Sequence, residues 1–289
     1  MSTTMLMYQT IIAESELAEL AKLKEVRVLD CRFDLADVDA GRQCYLKEHI
    51  PGAVYVSLDK DLSGPANTKC GRHPLPSVAA QLEQFSSLGI DSSTQVVLYD
   101  DSGGMFAARG WWMLRYWGHF SVAVLDGGWS AWCEAGRPRE CGDQGVNKAK
   151  FQGIARPDRL VSLDDIDGKI ELIDARDPRR FRGEIEPLDQ RAGHIPGAHN
   201  HFFQQNLTQR GKFREPGDLK QAFTISLGKL AGDESVHYCG SGVSACHNIL
   251  AQVHAGLDEP RLYCGSRSDW CADSGRPIAQ GLEHNEPAN

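Results

Sequence analysis

Residues 48–56 read EHIPGAVYV and residues 193–201 read GHIPGAHNH, so the letters HIPGA occur twice, with His49 and His194 separated by 145 positions. Chance rarely repeats five residues so cleanly in a chain of 289. Working outward, RVLDCR (27–32) precedes the first copy and ELIDAR (171–176) the second, with Asp30 and Asp174 offset by 144. Downstream, QVVLYDDSGG places Tyr99 where SVHYCGSGVS places Tyr238, an offset of 139. LDGGWSAW then places Trp132 where YCGSRSDW places Trp270, an offset of 138. Four markers in one order at nearly constant spacing define a duplicated domain of roughly 120 to 130 residues, far longer than a solenoid unit.

Each half alternates short apolar runs with helical patterns. The runs at Val26–Leu29, Val96–Tyr99, Val122–Leu125, Ile170–Ile173 and Ser235–Tyr238 read as strands. Strands separated by helices predict an α/β fold: two tandem domains, each a mainly parallel sheet flanked by helices. The boundaries read as an N-terminal domain over 8–141, a polar, glycine-bearing linker over 142–159 and a C-terminal domain over 160–280, with GLEHNEPAN (281–289) as a frayed tail. In such sheets, function gathers in the loops at the carboxyl ends of strands, where Tyr99 and Tyr238 stand.

Bulk properties narrow the function classes. A formal charge of -8, without long like-charge runs, disfavours nucleic acid or an anionic membrane surface as partner. The start MSTTMLMYQTIIAESEL has no basic region before its short apolar stretch, and no run of about 18 apolar residues follows, so a cytoplasmic location is expected. The nine cysteines include no C-x-x-C pair, which argues against a disulfide framework and a structural zinc site.

Cys239 follows the strand ending at Tyr238, and Gly240 and Gly242 let the chain curl into a helix running from Val243 to near Gly256. Backbone N–H groups of such a nest face an anion and lower a thiol pKa, which makes Cys239 a candidate nucleophile, with Ser241 at the rim. The bland alternative is an inert buried cysteine. The duplicate is an internal control: Asp100 stands where Cys239 stands, so one half is chemically silent.

These residues resemble the tandem-domain rhodanese-type sulfurtransferases, over about Val26 to Trp270. The motifs that carry the resemblance are HIPGA twice, RGWWMLRYWGH (109–119), LDGGWSAW, DARDPRRFRGE (174–184) and above all CGSGVSA (239–245). Within that family the uncharged loop from Gly240 through Gly242, Val243 and Ser244 to Ala245 is similar to the 3-mercaptopyruvate type, whereas the thiosulfate type carries basic residues in the loop. The resemblance implies that a Cys239 persulfide carries sulfane sulfur from a small-molecule donor to a thiol acceptor, a thioredoxin-like protein or a small thiol, or to cyanide. No metal or organic cofactor is implied. It also implies Arg180 as the substrate-anion arginine, Arg191 in EIEPLDQRAGH as a second one, and a proton relay of Ser241, His49 and Asp39. His49 has a second reading, as a cap of the turn at Pro51 and Gly52, which is the one favoured for His194.

Rival classes fare worse. A phosphatase loop needs an arginine six residues beyond the cysteine, where this chain has Ala245. A non-enzymatic sulfur carrier or partner-binding module does not require the intact loop. Metal binding by Cys239, His237 and His247 conflicts with strand alternation, since His237 and Tyr238 project to opposite faces, and with the two helical turns between Cys239 and His247. Cys246 and the six tryptophans read as packing residues. Arg267 has no assignment at this level.

Overall fold

The structure is a computed structural model describing residues 7–22, 26–66, 71–166, 170–227 and 232–281; Cys70 and tail residues 282–289 lie outside the described set. The chain forms two compact units. Unit 1 comprises residues 1–65, 75–157 and 207–214, and unit 2 comprises 66–74, 158–206 and 215–289. Each half of the sequence therefore lends a short segment to the other half's unit, which the simple boundaries read from the repeat do not include. Among the described residues, no helix is long and apolar enough to cross a membrane.

In unit 1 the strands are β1 (Ile11–Ile12), β2 (Val26–Asp30), β3 (Val54–Tyr55), β4 (Gln95–Tyr99) and β5 (Val122–Leu125), in the order β1-β5-β4-β2-β3. Its helices are α1 (Glu14–Leu20), α2 (Ala40–Lys47), α3 (Val78–Ser87), α4 (Ala107–Tyr116) and α5 (Gly128–Glu134). Unit 2 has β6 (Leu160–Val161), β7 (Leu172–Asp174), β8 (His199–Asn200), β9 (Val236–Tyr238) and β10 (Arg261–Tyr263), in the order β6-β10-β9-β7-β8. Its helices are α6 (Pro178–Phe181), α7 (Pro216–Leu227), α8 (Ser244–His254) and α9 (Ser266–Trp270). All strand pairs of both sheets are parallel, and the two orders are the same topology written twice. The central strands β4 and β9 are buried along their whole length, as parallel strands covered on both faces must be.

The repeated motifs are scaffolding at matching places. Asp30 and Asp174 each receive the guanidinium two residues on, from Arg32 and Arg176, with Nη2 to carboxylate distances of 2.6 Å in both units. The Tyr99 hydroxyl donates to Asp30 at 2.6 Å and accepts the Ile50 N–H; Tyr238 accepts the Ile195 N–H. HIPGA thus fastens its turn to the end of the central strand through its isoleucine amide. The indole N–H groups of Trp132 and Trp270 donate to Pro138 and Pro277 carbonyls at 2.8 Å, and both rings lie in their unit's core. Buried acid–arginine pairs contribute little net stability but are costly to break, so they lock the register of these turns.

Candidate active site

Cys239 is the first residue beyond β9 and is 2% exposed. Its N–H donates to Ser266 Oγ at 3.1 Å, and its carbonyl accepts the Arg267 N–H at 3.0 Å. The Ser268 N–H donates to the Gly240 carbonyl at 2.9 Å, so the strand end is clamped by residues 266–268. Gly242 has φ 76°, and a Cβ there would strike the Cys264 carbonyl, which explains why the loop carries glycine at this point. Gly240, Ser241, Val243 and Ser244 are buried, and Ser244 opens α8.

The same place in unit 1 shows what the loop is built to hold. Asp100 is fully buried. Its Oδ1 accepts the N–H groups of Ser102 and Gly104, both at 2.8 Å, and its Oδ2 accepts those of Phe106 and Ala107, at 2.8 and 2.9 Å. Burial pushes this carboxyl above the usual carboxylate range, against the four amides that pull it down. A carboxylate held by successive amides at the start of α4 is an anion in a nest. The Trp129 N–H caps the Asp100 carbonyl at 2.8 Å, as Arg267 caps that of Cys239. Gly128 and Ser266 share this turn and both have positive φ, 53° and 56°; in unit 2 the serine hydroxyl receives the Cys239 amide.

Arg180 in α6 lies beside this loop. A Cβ on Gly240 would sit 3.8 Å from each terminal nitrogen of Arg180 and 2.9 Å from Nη2 of Arg72. Arg180 Nη2 donates to Glu186 Oε1 at 2.6 Å and approaches Asp189 Oδ2 at 3.5 Å. Arg72 is ion-paired to the other Asp189 oxygen. Burial pushes Glu186 up, but Arg180 and the Leu188 and Asp189 amides outweigh it and hold the carboxyl below its usual range. Arg72 arrives on residues 66–74, the segment that the first half of the chain lends to unit 2. Gly71, at φ 79°, seats that segment: a Cβ there would meet the Ser268 hydroxyl at 2.6 Å, and the Arg72 amide donates to the same hydroxyl at 3.1 Å. The next residue, His73, is buried, with Nδ1 hydrogen-bonded to Ser241 Oγ at 2.7 Å.

Of the expected site residues, Cys239, Ser241, Arg180 and Arg191 belong to unit 2, where Arg180 lies beside the Cys239 loop, and His49 and Asp39 belong to unit 1. His49 belongs to unit 1, fully buried, with its ring stacked on Tyr45 at 4.2 Å and Nδ1 bonded to the Tyr45 carbonyl at 2.7 Å. His194 repeats this arrangement on Phe181, at 3.7 Å between rings and 2.8 Å to the carbonyl. His49 therefore has the same surroundings as its twin, and the histidine on Ser241 is His73. Asp39 is exposed at the N-cap of α2 in unit 1. Arg191 spends its guanidinium on backbone carbonyls of Cys271, Asp273, Ser274 and Arg276, at 2.7 to 3.4 Å, and so braces the chain after α9. The second guanidinium near Gly240 comes from Arg72 instead. His73 and Arg72 escaped sequence reasoning, although a signal existed. The repeat offset falls from 145 at HIPGA to 139 at the tyrosines, so the first half is six residues longer in the interval containing 66–74.

Two parallel α/β units of one topology, with a cysteine at the end of one central strand and an aspartate at the end of the other, define a duplicated protein. The rhodanese-like domain model matches residues 13–135 and 158–273, and the chain belongs to that family. It is 42% identical, over 94% of its length and 98% of the relative, to a Pseudomonas aeruginosa protein named "Probable 3-mercaptopyruvate sulfurtransferase". It is 31% identical to the thiosulfate sulfurtransferase of Bos taurus, over 91% of this chain and 92% of the other. The solved 3-mercaptopyruvate sulfurtransferase from Leishmania major matches with a TM-score of 0.81 and 31% identity, over 90% of this chain and 73% of that one.

Proposed function

We propose that the protein is a sulfurtransferase in which Cys239 takes a sulfur atom from 3-mercaptopyruvate and passes it to a thiol. The observation that carries the donor choice is the 2.7 Å hydrogen bond between His73 and Ser241. Thiosulfate releases sulfite without needing a proton, whereas mercaptopyruvate releases an enolate that must take one. A buried imidazole relayed through a hydroxyl beside the nucleophile suits the second reaction.

In the first half-reaction the Cys239 thiolate attacks the donor sulfur. The new S–S bond forms as the S–C bond breaks, and its electron pair leaves with carbon as pyruvate enolate, which is protonated through Ser241 and His73. Arg180 and Arg72 receive the donor carboxylate. By the register of the Asp100 nest, the amides of Ser241, Val243 and Ala245 face the charge on the outer sulfur of the persulfide, a preorganised stabilisation. In the second half-reaction an acceptor thiolate, from a dithiol protein or a small thiol, attacks that outer sulfur and Cys239 leaves as thiolate. This is a double displacement through a covalent intermediate.

The deciding experiment compares kcat/KM for mercaptopyruvate and thiosulfate in wild type and Cys239→Ser. Mercaptopyruvate should be the better donor, and the variant should lose at least about 1000-fold with either. Equal or higher values for thiosulfate overturn the donor, and surviving activity in the variant overturns the nucleophile.

A further inference from the structure

The two arginines beside Gly240 already hold a carboxylate. Asp189 bridges them, one oxygen on Arg72 and the other 3.5 Å from Arg180 Nη2. Its side chain is only 2% exposed, against 33% for Arg72. Both residues line a pocket of about 450 Å³ whose wall also includes Leu188, Gln190 and Ser268, so the pair is reached from solvent through that opening. Ser268 ties the pocket to the reactive loop by donating its amide to Gly240. Behind the bridge, Glu186 joins Arg180 to Arg176, and Arg176 joins Asp174. The cluster thus pairs three arginines with three carboxylates and is formally neutral, despite presenting two guanidinium groups to the loop.

We propose that Asp189 is a specificity-determining residue, an internal carboxylate that occupies the anion pincer and tunes it to singly charged donors. The inference rests on the sulfurtransferase reading above. A donor anion takes up guanidinium hydrogen bonds that Asp189 holds, and it does so within a few ångströms of the displaced carboxylate. A monocarboxylate exchanges one like charge for another. A dianion such as thiosulfate brings a second charge that the neutral cluster does not compensate, and in a partly buried site that charge is poorly screened. Discrimination of this kind works by repulsion of the wrong ligand as much as by attraction of the right one.

The test measures kcat/KM for mercaptopyruvate and thiosulfate in wild type, Asp189→Asn and Asp189→Glu. The amide variant removes one negative charge while keeping the shape. Its thiosulfate-to-mercaptopyruvate ratio should rise by at least about tenfold, carried by a fall in KM for thiosulfate, and the Glu variant should restore the wild-type ratio. An equal loss for both donors, or a change confined to kcat, means that Asp189 only supports the fold and overturns the proposal. Competitive inhibition of wild type by pyruvate and by sulfate is a second readout that needs no variant. Pyruvate should bind more tightly, and tighter sulfate overturns the proposal. Should wild type fail to use mercaptopyruvate at all, the donor reading falls, while the pyruvate-versus-sulfate order still decides the role of Asp189.

Discussion

The loop after β4 and the loop after β9 leave equivalent strands and both turn through a glycine of positive φ, Gly103 at 69° and Gly242 at 76°. They begin with different side chains, however, and differ at the residue after that glycine, where Gly104 has φ 90° and Val243 φ -94°. In unit 1, Asp100 closes the nest on itself: four amides converge on one internal carboxylate. In unit 2 the focus is Cys239, and the surroundings change in step. Arg180 stands where the repeat register places Ala36, His73 and Arg72 come from the segment that the first half lends to unit 2, and Ser266 replaces Gly128. The difference teaches that an anion nest is only a receptor. In the proposed reaction it becomes a reaction centre because a nucleophile stands at the strand end with cations and a proton carrier alongside.

The largest effect is expected from emptying the closed nest. Asp100→Ala leaves four buried N–H groups without their acceptor and should cost about 3 kcal/mol or more, read as a lower urea midpoint, with kcat/KM per folded molecule unchanged. An unshifted midpoint would show that the amides are satisfied without the carboxylate. The next effect sharpens the open nest: His73→Gln and Ser241→Ala should each lower kcat for mercaptopyruvate about 100-fold while leaving thiosulfate turnover nearly intact. Equal losses with both donors would make the pair a structural contact. The parallel variant His49→Gln should show no such donor-dependent split in kcat.

The smallest effect concerns the residue before each strand-end tyrosine, Leu98 in unit 1 and His237 in unit 2, both fully buried. Burial, with the neighbouring His201, pushes His237 down to about 3, so it stays neutral in the fold while the unfolded chain takes a proton near pH 6.5. Between those values the unfolded state binds the extra proton, and stability falls as pH falls, by about 1.4 kcal/mol per unit at most. His237→Leu should therefore remove about 2 kcal/mol of the stability loss between pH 6.5 and 5, measured by urea unfolding at both pH values. An unchanged acid dependence would assign that loss to other groups.

The fold was legible because duplication wrote it twice. Val122–Leu125 matches β5, and the other strand runs fall within two residues of their observed starts and one of their observed ends. Within the site, Cys239, Ser241 and Arg180 were legible because each sits inside a local motif whose geometry is set by near neighbours in the chain. For His49, Asp39 and Arg191 the local motif is a weaker guide. HIPGA looks functional because it recurs, yet it recurs because the turn must be fastened to the tyrosine of each central strand. Arg191 lies two residues past the position that faces the site, and that position holds Asp189.

By itself, the sequence determined that two parallel α/β domains stand in tandem, that one strand-end loop carries a thiol and the other an acid, and that the loop bears no charge. Short-range rules and repetition suffice for this, since apolar periodicity and glycine placement are properties of neighbours along the chain, and repetition is seen by laying one stretch against another. Only the tertiary structure decided which histidine meets Ser241, which second arginine meets Gly240 and which carboxylate lies between the arginines. His73 and Ser241 are 168 positions apart, and Arg72 and Asp189 are 117 apart. Contacts at such separations are chosen by packing, because the segment holding residues 66–74 folds with the second unit and no local propensity records that choice.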